Sequence, residues 1–372
     1  MMVKQSYTVR FVTPAFLGNA EQQGQWRTPP FKALLRQWWR VAAAKDYGYN
    51  HERLREAEGR LFGNAWIENN FRKSELRLRL DRWDEGKLKQ SVWPGKDEKK
   101  LTHWEVTNKD GKTIPVGAEL YLGYGPLNYD KIQKRTVLKA NAAIQADDHA
   151  ELHLAYPEDL TVVADVFQLI HWFGTLGGRS RNGWGSLLLE TKELKGSDLL
   201  NQSDPLLNKL ARSIRQCLNY DWPHAIGHDD QGLLVWVSKK PHDTWREAMV
   251  ELAKTKIEFR TNLAFSKSKG KLDQRHVLAY PVTNHSVNPW EKYKVAWSPG
   301  TRNGRLANQL RFKVTKTAQG KYLGLVYHLP CAIPGELLNT LERADQTWIV
   351  GQQIGIWQSV HGVLDNQMQR IQ

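Results

Sequence analysis

The stretch GTLGGRSRNGWGSLLLE, Gly174–Glu190, decides how the fold is read. An apolar run at helical spacing precedes it: Val163, Val166, Phe167 and Ile170 fall on one face of a helix over about 160–173. After it, LLLE reads as a strand. A dinucleotide-binding turn has the opposite order, with glycines after a strand and at the start of a helix. A Walker loop would end in GK[ST], which this stretch lacks. A nucleotide-cofactor cradle is therefore disfavoured. Glycine lets a backbone approach a ligand closely and present its N–H groups to an anion. Arg179 and Arg181 add positive charge, and Trp184 is suited either to base stacking or to core packing. The loop over 174–186 is thus an RNA-following loop, a tight hairpin turn, or both.

Outward from this stretch the elements fall into an order. YTVRFV (Tyr7–Val12) reads as a strand and GNAEQQGQWRTPP as a polar loop. A helix follows, with Thr28 as its cap and Pro29-Pro30 in its first turn. Phe31, Leu34, Leu35, Trp38, Val41 and Ala42 form its buried stripe. Lys32, Arg36 and Arg40 form a cationic ridge beside it, and like charges at that spacing repel. A ridge without acidic partners calls for a bound anion. A second helix over His51–Leu61 mixes Arg with Glu and reads as a solvated face. Residues 66–130 are irregular and read as an insertion carrying the alternating strand LRLRLDRW and Trp83, Trp93 and Trp104. AELHLAY (Ala150–Tyr156) is a further strand.

The resulting order, β-α-insertion-β-α-turn-β, fits an embellished β-α-β-β-α-β unit of the ferredoxin-like, RRM-like kind. A polar linker begins at Lys195, and the second half repeats the rhythm. There GLLVWV, VLAYPV, QLRFKVT and YLGLVYHLP read as strands, and Trp245–Ile257 and Gly335–Ile354 as helices. The expectation is an α+β chain of two tandem ferredoxin-like modules, over 1–195 and 205–372, with the insertion in the first.

The charge balance points to the partner class. The 372 residues carry a formal charge of +14, which favours a polyanion. The 16 Trp outnumber both Tyr and Phe, and suit stacking as well as cores. Two Cys far apart make neither a disulfide framework nor a zinc cluster. With no signal-peptide core in MMVKQSYTVRF and no apolar run long enough to span a bilayer, a cytoplasmic protein without a membrane partner is expected. His149 and His153 beside Asp147-Asp148, and His224 and His228 beside Asp229-Asp230, are the metal candidates. The first pair lies on strand-like alternation and the second in a polar turn, so no metal or other cofactor is expected. No GxSxG motif or paired-carboxylate signature is present.

The run TPAFLGNAEQQGQWRTPPFKALLRQWWRVAAA, followed by EAEGRLFGNA, resembles the start of RAMP proteins of CRISPR systems. It is most similar to the first-subunit family of the Cmr module, the type III-B effector. The carrying residues are Leu35-Arg36-Gln37-Trp38-Trp39-Arg40 and Glu58-Gly59-Arg60-Leu61-Phe62-Gly63. GGRSRNGWGSL resembles the glycine-rich loop of that superfamily. RLANQLRFKV and YLGLVYHLP resemble its second-half pattern, with Asn308 and Gln309 where Ser and Pro are usual.

The resemblance implies a non-catalytic RNA-binding subunit of a multi-subunit ribonucleoprotein for antiviral defence. Its partners would be crRNA near the 3′ end, target RNA, and other effector subunits. The expected RNA contacts are Arg27, Lys32, Arg36, Trp39 and Arg40 on the first helix, and Gly177, Gly178, Arg179, Ser180, Arg181, Asn182, Gly183 and Trp184 in the loop. Arg302, Arg305 and Arg311 would form a second surface. The alternatives are a metal-independent crRNA-processing endoribonuclease, which needs a general-base His that no context singles out, and a Trp-rich carbohydrate-binding module, which leaves the charge unexplained.

Overall fold

The structure, a computed structural model, describes residues 1–65, 71–93, 98–139, 142–160, 162–191, 204–264, 266, 270–282, 285–291 and 304–371. The chain divides into two compact units. One comprises Met1–Leu210, Lys240–Ala253 and Phe312–Leu325; the other comprises Ala211–Lys239, Lys254–Arg311 and Val326–Gln372.

Up to residue 190 the main elements are β1 (Met2–Phe11), α1 (Thr28–Ala43), α2 (His51–Phe62), β2 (Arg77–Leu80), α3 (Ala118–Gly123), β3 (Leu127–Asp130), β4 (Arg135–Leu138), β5 (His149–Pro157), α4 (Val162–Phe173) and β6 (Leu187–Glu190). Four of these strands form one sheet in the order β6-β1-β5-β2, each pair antiparallel. The sequence puts Arg77–Leu80 inside the 66–130 insertion. The structure makes it a sheet strand, with Leu80 opposite Leu152.

Alternation sets the two faces of this sheet. Tyr7, Val9 and Phe11 of β1 and Ala150, Leu152, Leu154 and Tyr156 of β5 point into the core. Helices α1 and α4 pack against each other. The Tyr7 and Phe167 rings stack at 4.4 Å, and those of Trp38 and Phe173 at 5.5 Å. The apolar stripe read from the sequence of α1 is buried throughout. Its start differs by one residue: Arg27 is the cap position, with no side-chain capping bond, and Thr28 is already helical. Pro29 and Pro30 fill the first turn, where no N–H is required. Asn50 caps α2 by accepting from the Arg53 N–H at 3.0 Å.

The end of α4 is closed by a buried lysine. The Lys313 side chain donates from Nζ to the His171 carbonyl at 2.5 Å, and the Gly174 N–H donates to the Ile170 carbonyl at 2.7 Å. Full burial disfavours the charged form and holds the Lys313 pKa well below its ordinary value.

Further along come β7 (Val235–Val237), α5 (Trp245–Thr261), β8 (Leu310–Lys316), β9 (Tyr322–His328), α6 (Arg343–Gln367) and β10 (Gln369–Arg370). A second four-stranded sheet has the order β8-β9-β7-β10. VLAYPV is not the strand expected from its sequence. Val277 and Leu278 lie in a helical turn, and Pro281 removes a ladder donor, leaving isolated bridges from Tyr280 to Leu306 and from Val282 to His285. In the second unit Arg370 joins Asp229 and Asp365, and the Trp236 indole donates to Asp365 at 2.7 Å. Gln309, which departs from the family pattern, ties Cys331 at both ends: its amide donates to the Cys331 carbonyl at 2.8 Å and its carbonyl accepts from the Cys331 N–H at 3.0 Å.

Candidate nucleic-acid interface

The glycine-rich loop is a hairpin-like turn with a heavily engaged backbone. Its base closes through the Leu176 N–H to the Gly185 carbonyl at 2.9 Å. Gly185 holds φ +63°, and a Cβ there would stand 1.9 Å from the Leu176 carbonyl oxygen, so only glycine fits. The segment after β1 forms the back wall. The Gly178 N–H donates to Phe16 at 2.9 Å, the Gly185 N–H to Pro14 at 2.8 Å, and the Thr13 hydroxyl to the Gly183 carbonyl at 2.8 Å. Within the loop the Ser180, Asn182 and Gly183 N–H groups bond Gly177, Arg179 and Ser180 carbonyls. The anion nest expected from the glycines is therefore largely occupied by the loop itself. A strand passing here would meet side chains before backbone donors.

A second wall comes from the α3–β3 corner, inside the region that the sequence reads as an insertion. Asn182 donates its side-chain amide to the Leu122 carbonyl at 2.9 Å. A Cβ on Gly123 would stand 3.0 Å from the Trp184 indole nitrogen, and one on Gly125 would stand 3.4 Å from an Arg179 guanidinium nitrogen. A Cβ on Gly178 would reach Pro126 at 3.1 Å. Residues 122–126 thus lie along 178–184 and fix their shape.

These contacts sort the loop's side chains. Arg179 and Arg181 are exposed, and Arg179 adopts a left-handed φ of +57°. Gly177 is exposed, and Gly178 and Ser180 are half-buried. Asn182, Gly183 and Trp184 are buried. Trp184 is 0% exposed and packs among Phe16, Trp93 and Trp245 at centroid separations of 5.1, 5.7 and 5.9 Å. It is a core residue and has no free face for a base. Trp93, which the sequence places in the insertion, belongs to the same cluster, while Trp83 and Trp104 are exposed.

The cationic ridge on α1 has an acidic partner after all. Glu58 of α2, which is buried, pairs with Arg36 at 3.2 Å and accepts from both Nε and Nη2 of Arg40, a bidentate pair along one guanidinium edge. The sequence spacing within α1 gave no sign of this, because the carboxylate arrives from the next helix. Hydrogen bonding to Glu58 raises the Arg40 pKa. Arg36 also donates to the Gly63 carbonyl at 3.2 Å and lies over the Phe62 ring at 5.5 Å. Lys32 is half-buried, and its pKa falls through burial and then through the neighbouring charge of Arg36. Trp39 is 4% exposed, meets Phe62 edge-on and Tyr47 at a tilt, and so packs α1 on α2 and does not flank phosphates. Arg27 is half-buried at the start of α1.

Of the second-half arginines, Arg305 is exposed and Arg311 is buried within β8, where no phosphate reaches it. Arg302 lies outside the described residues. Among the described residues no three or more His, Cys, Asp or Glu side chains gather closely enough to hold a metal ion. No described helix is long and apolar enough to cross a membrane.

Residues 8–188 match the family model of the RAMP superfamily. No curated protein matches the chain. Among solved structures, the chain is similar to Cmr1 from Pyrococcus furiosus at 14% identity and a TM-score of 0.42, covering 94% of this chain and 97% of that one. It is similar to a chain of a type III-B Cmr-beta complex bound to cognate target RNA at 12% identity and a TM-score of 0.45, covering 94% and 99%. A chain of a type IV-B CRISPR complex aligns at 12% identity and a TM-score of 0.28, covering 52% and 93%. No overlay reaches a TM-score of 0.5.

Proposed function

We propose, from the match of residues 8–188 to the family model of the RAMP superfamily, that this chain is a non-catalytic RNA-binding subunit of a type III CRISPR effector, placed near the crRNA 3′ end and aiding target capture. The observation that carries the reading is the loop. It holds two exposed arginines, Arg179 and Arg181, on a backbone buttressed from both sides. A rigid cationic loop on a chain of charge +14 suits a phosphodiester strand. Its partners are crRNA, target RNA and other effector subunits. The tandem ferredoxin-like reading belongs to the same proposal. In β6-β1-β5-β2 the strands stand fourth-first-third-second in chain order, and β8-β9-β7-β10 repeats this from the opposite edge.

The ridge adds phosphate contacts. Arg36 and Arg40 share one carboxylate between two guanidinium groups, which leaves net positive charge on that face. In an Arg36→Ala/Arg40→Ala variant, RNA affinity should fall across sequences and the slope of log K against log salt should flatten. Filter binding at two or more salt concentrations measures both. Unchanged affinity and slope would remove the ridge from the interface.

A further inference from the structure

The burial of Trp184 leaves the glycine-rich loop without the base-stacking residue that its sequence offers. An aromatic ring does stand beside the loop, supplied by the α3–β3 corner. Tyr124 follows α3 directly and is 64% exposed. Its neighbour Gly125 takes φ +119° and lies under the Arg179 guanidinium, where a Cβ would come to 3.4 and 3.5 Å from two guanidinium nitrogens. Tyr124 is also close enough to Arg179 for the two groups to interact electrostatically. The corner is held in place by the Gly125 N–H to the Leu127 carbonyl at 3.0 Å and the Lys139 N–H to the Pro126 carbonyl at 2.9 Å. An exposed aromatic ring thus sits one residue from the glycine that lies against the Arg179 guanidinium.

We infer that Tyr124 and Arg179 together form a single-nucleotide subsite for single-stranded RNA, in which the Tyr124 ring stacks on a base and Arg179 holds an adjoining phosphate. The chemistry favours a nucleic acid over a protein partner. Stacking is tolerant of base identity because every base presents a π-face, and the neighbouring cation matches the phosphate that each base carries. Gly125 is the positioning residue: its φ of +119° is a backbone conformation that a side chain there would strain.

The inference rests on the RNA-binding reading above, and its test separates the two. The probes are a fluorescein-labelled oligouridylate and the same strand with abasic sites, titrated at two salt concentrations. Tyr124→Ala should weaken binding to the intact strand about 5- to 150-fold, the range that corresponds to one stacked base. Its salt slope should not change, Tyr124→Phe should restore affinity, and on the abasic strand Tyr124→Ala should match the wild type. Arg179→Ala should weaken both strands and flatten the slope. If Tyr124→Ala binds as the wild type does while Arg179→Ala does not, the subsite is overturned and the RNA-binding loop stands. If Tyr124→Ala keeps RNA affinity but loses a co-purifying subunit, the ring is a protein contact and the subsite is likewise overturned. If Arg179→Ala and Arg36→Ala/Arg40→Ala both bind as the wild type does, the RNA reading fails and the subsite with it.

Discussion

Residue identity in the glycine-rich loop divides between exposed charge and buried bulk. Arg179 and Arg181 face outward, while Trp184 joins Phe16, Trp93 and Trp245 in a cluster that holds the loop's far side. Trp184→Ala should cost about 3–5 kcal/mol of stability, as truncation of a buried aromatic does. Urea unfolding measures it, and a loss below about 1 kcal/mol would contradict the packing described. The sequence presents both roles for this residue because Trp suits either, and nothing local discriminates between them. The partners that decide it lie far away in the chain. The two arginines are legible because charge in a polar, glycine-rich segment has few alternatives to solvent.

Between elements, the decisive pairing is α1 with α2. The stripe on α1 and the extent of α2 are plain in the sequence, since periodicity is a local property. The ion pairs of Arg36 and Arg40 with Glu58 are not, because they depend on how two helices meet. Glu58 competes with phosphate for the same two guanidinium groups. Glu58→Gln should therefore strengthen RNA binding severalfold and steepen its salt slope, the opposite of the double arginine change. Unchanged binding would mean that the pair only fastens α2 to α1. The insertion shows the same limit. Its LRLRL segment is recognisable as a strand, but its place beside β5 depends on a register set more than seventy residues later. The α3–β3 corner carries no motif, and its contacts with 178–184 appear only in three dimensions.

For the whole molecule, buried histidines set the response to acid. Burial lowers the pKa of His224 to about 4 and of His361 to about 3, and lowers those of His276 and His328 as well. The unfolded chain takes up these protons near the ordinary value of 6.5, whereas the folded chain does not, so stability falls as pH drops below about 6.5. Each such histidine contributes up to about 1.4 kcal/mol per pH unit. Glu119, raised to about 7 by burial although Arg246 opposes the shift, acts in the other direction between its ordinary 4.5 and 7. With four histidines against one carboxyl, the melting temperature should be lower at pH 5 than at pH 7. An equal or higher value at pH 5 would show that the histidines protonate in place. The succession of strands and helices in the first half is readable from the sequence, but the order of the strands in the sheet is not, because LRLRL lies within the stretch that reads as an insertion. The second half is less so: VLAYPV has strand-like composition, but Val277 and Leu278 lie in a helical turn.

The closure of α4 and of the loop by β8 bears on where the chain can be cut. The Phe312 N–H donates to the Arg181 carbonyl at 3.0 Å, the Val314 N–H to the Ser186 hydroxyl at 2.9 Å, and the Lys313 Nζ to the His171 carbonyl at 2.5 Å. A fragment ending after β6 would keep residues 8–188, the span that the family model matches, and lose all three donors. Each abandoned acceptor would cost about 1–3 kcal/mol where water does not replace the donor. The matched span is thus not a portion that can be excised and expected to stand alone. During synthesis the loop acquires its final partners only after some 120 further residues have left the ribosome, which makes its completion a late event in the maturation of the chain.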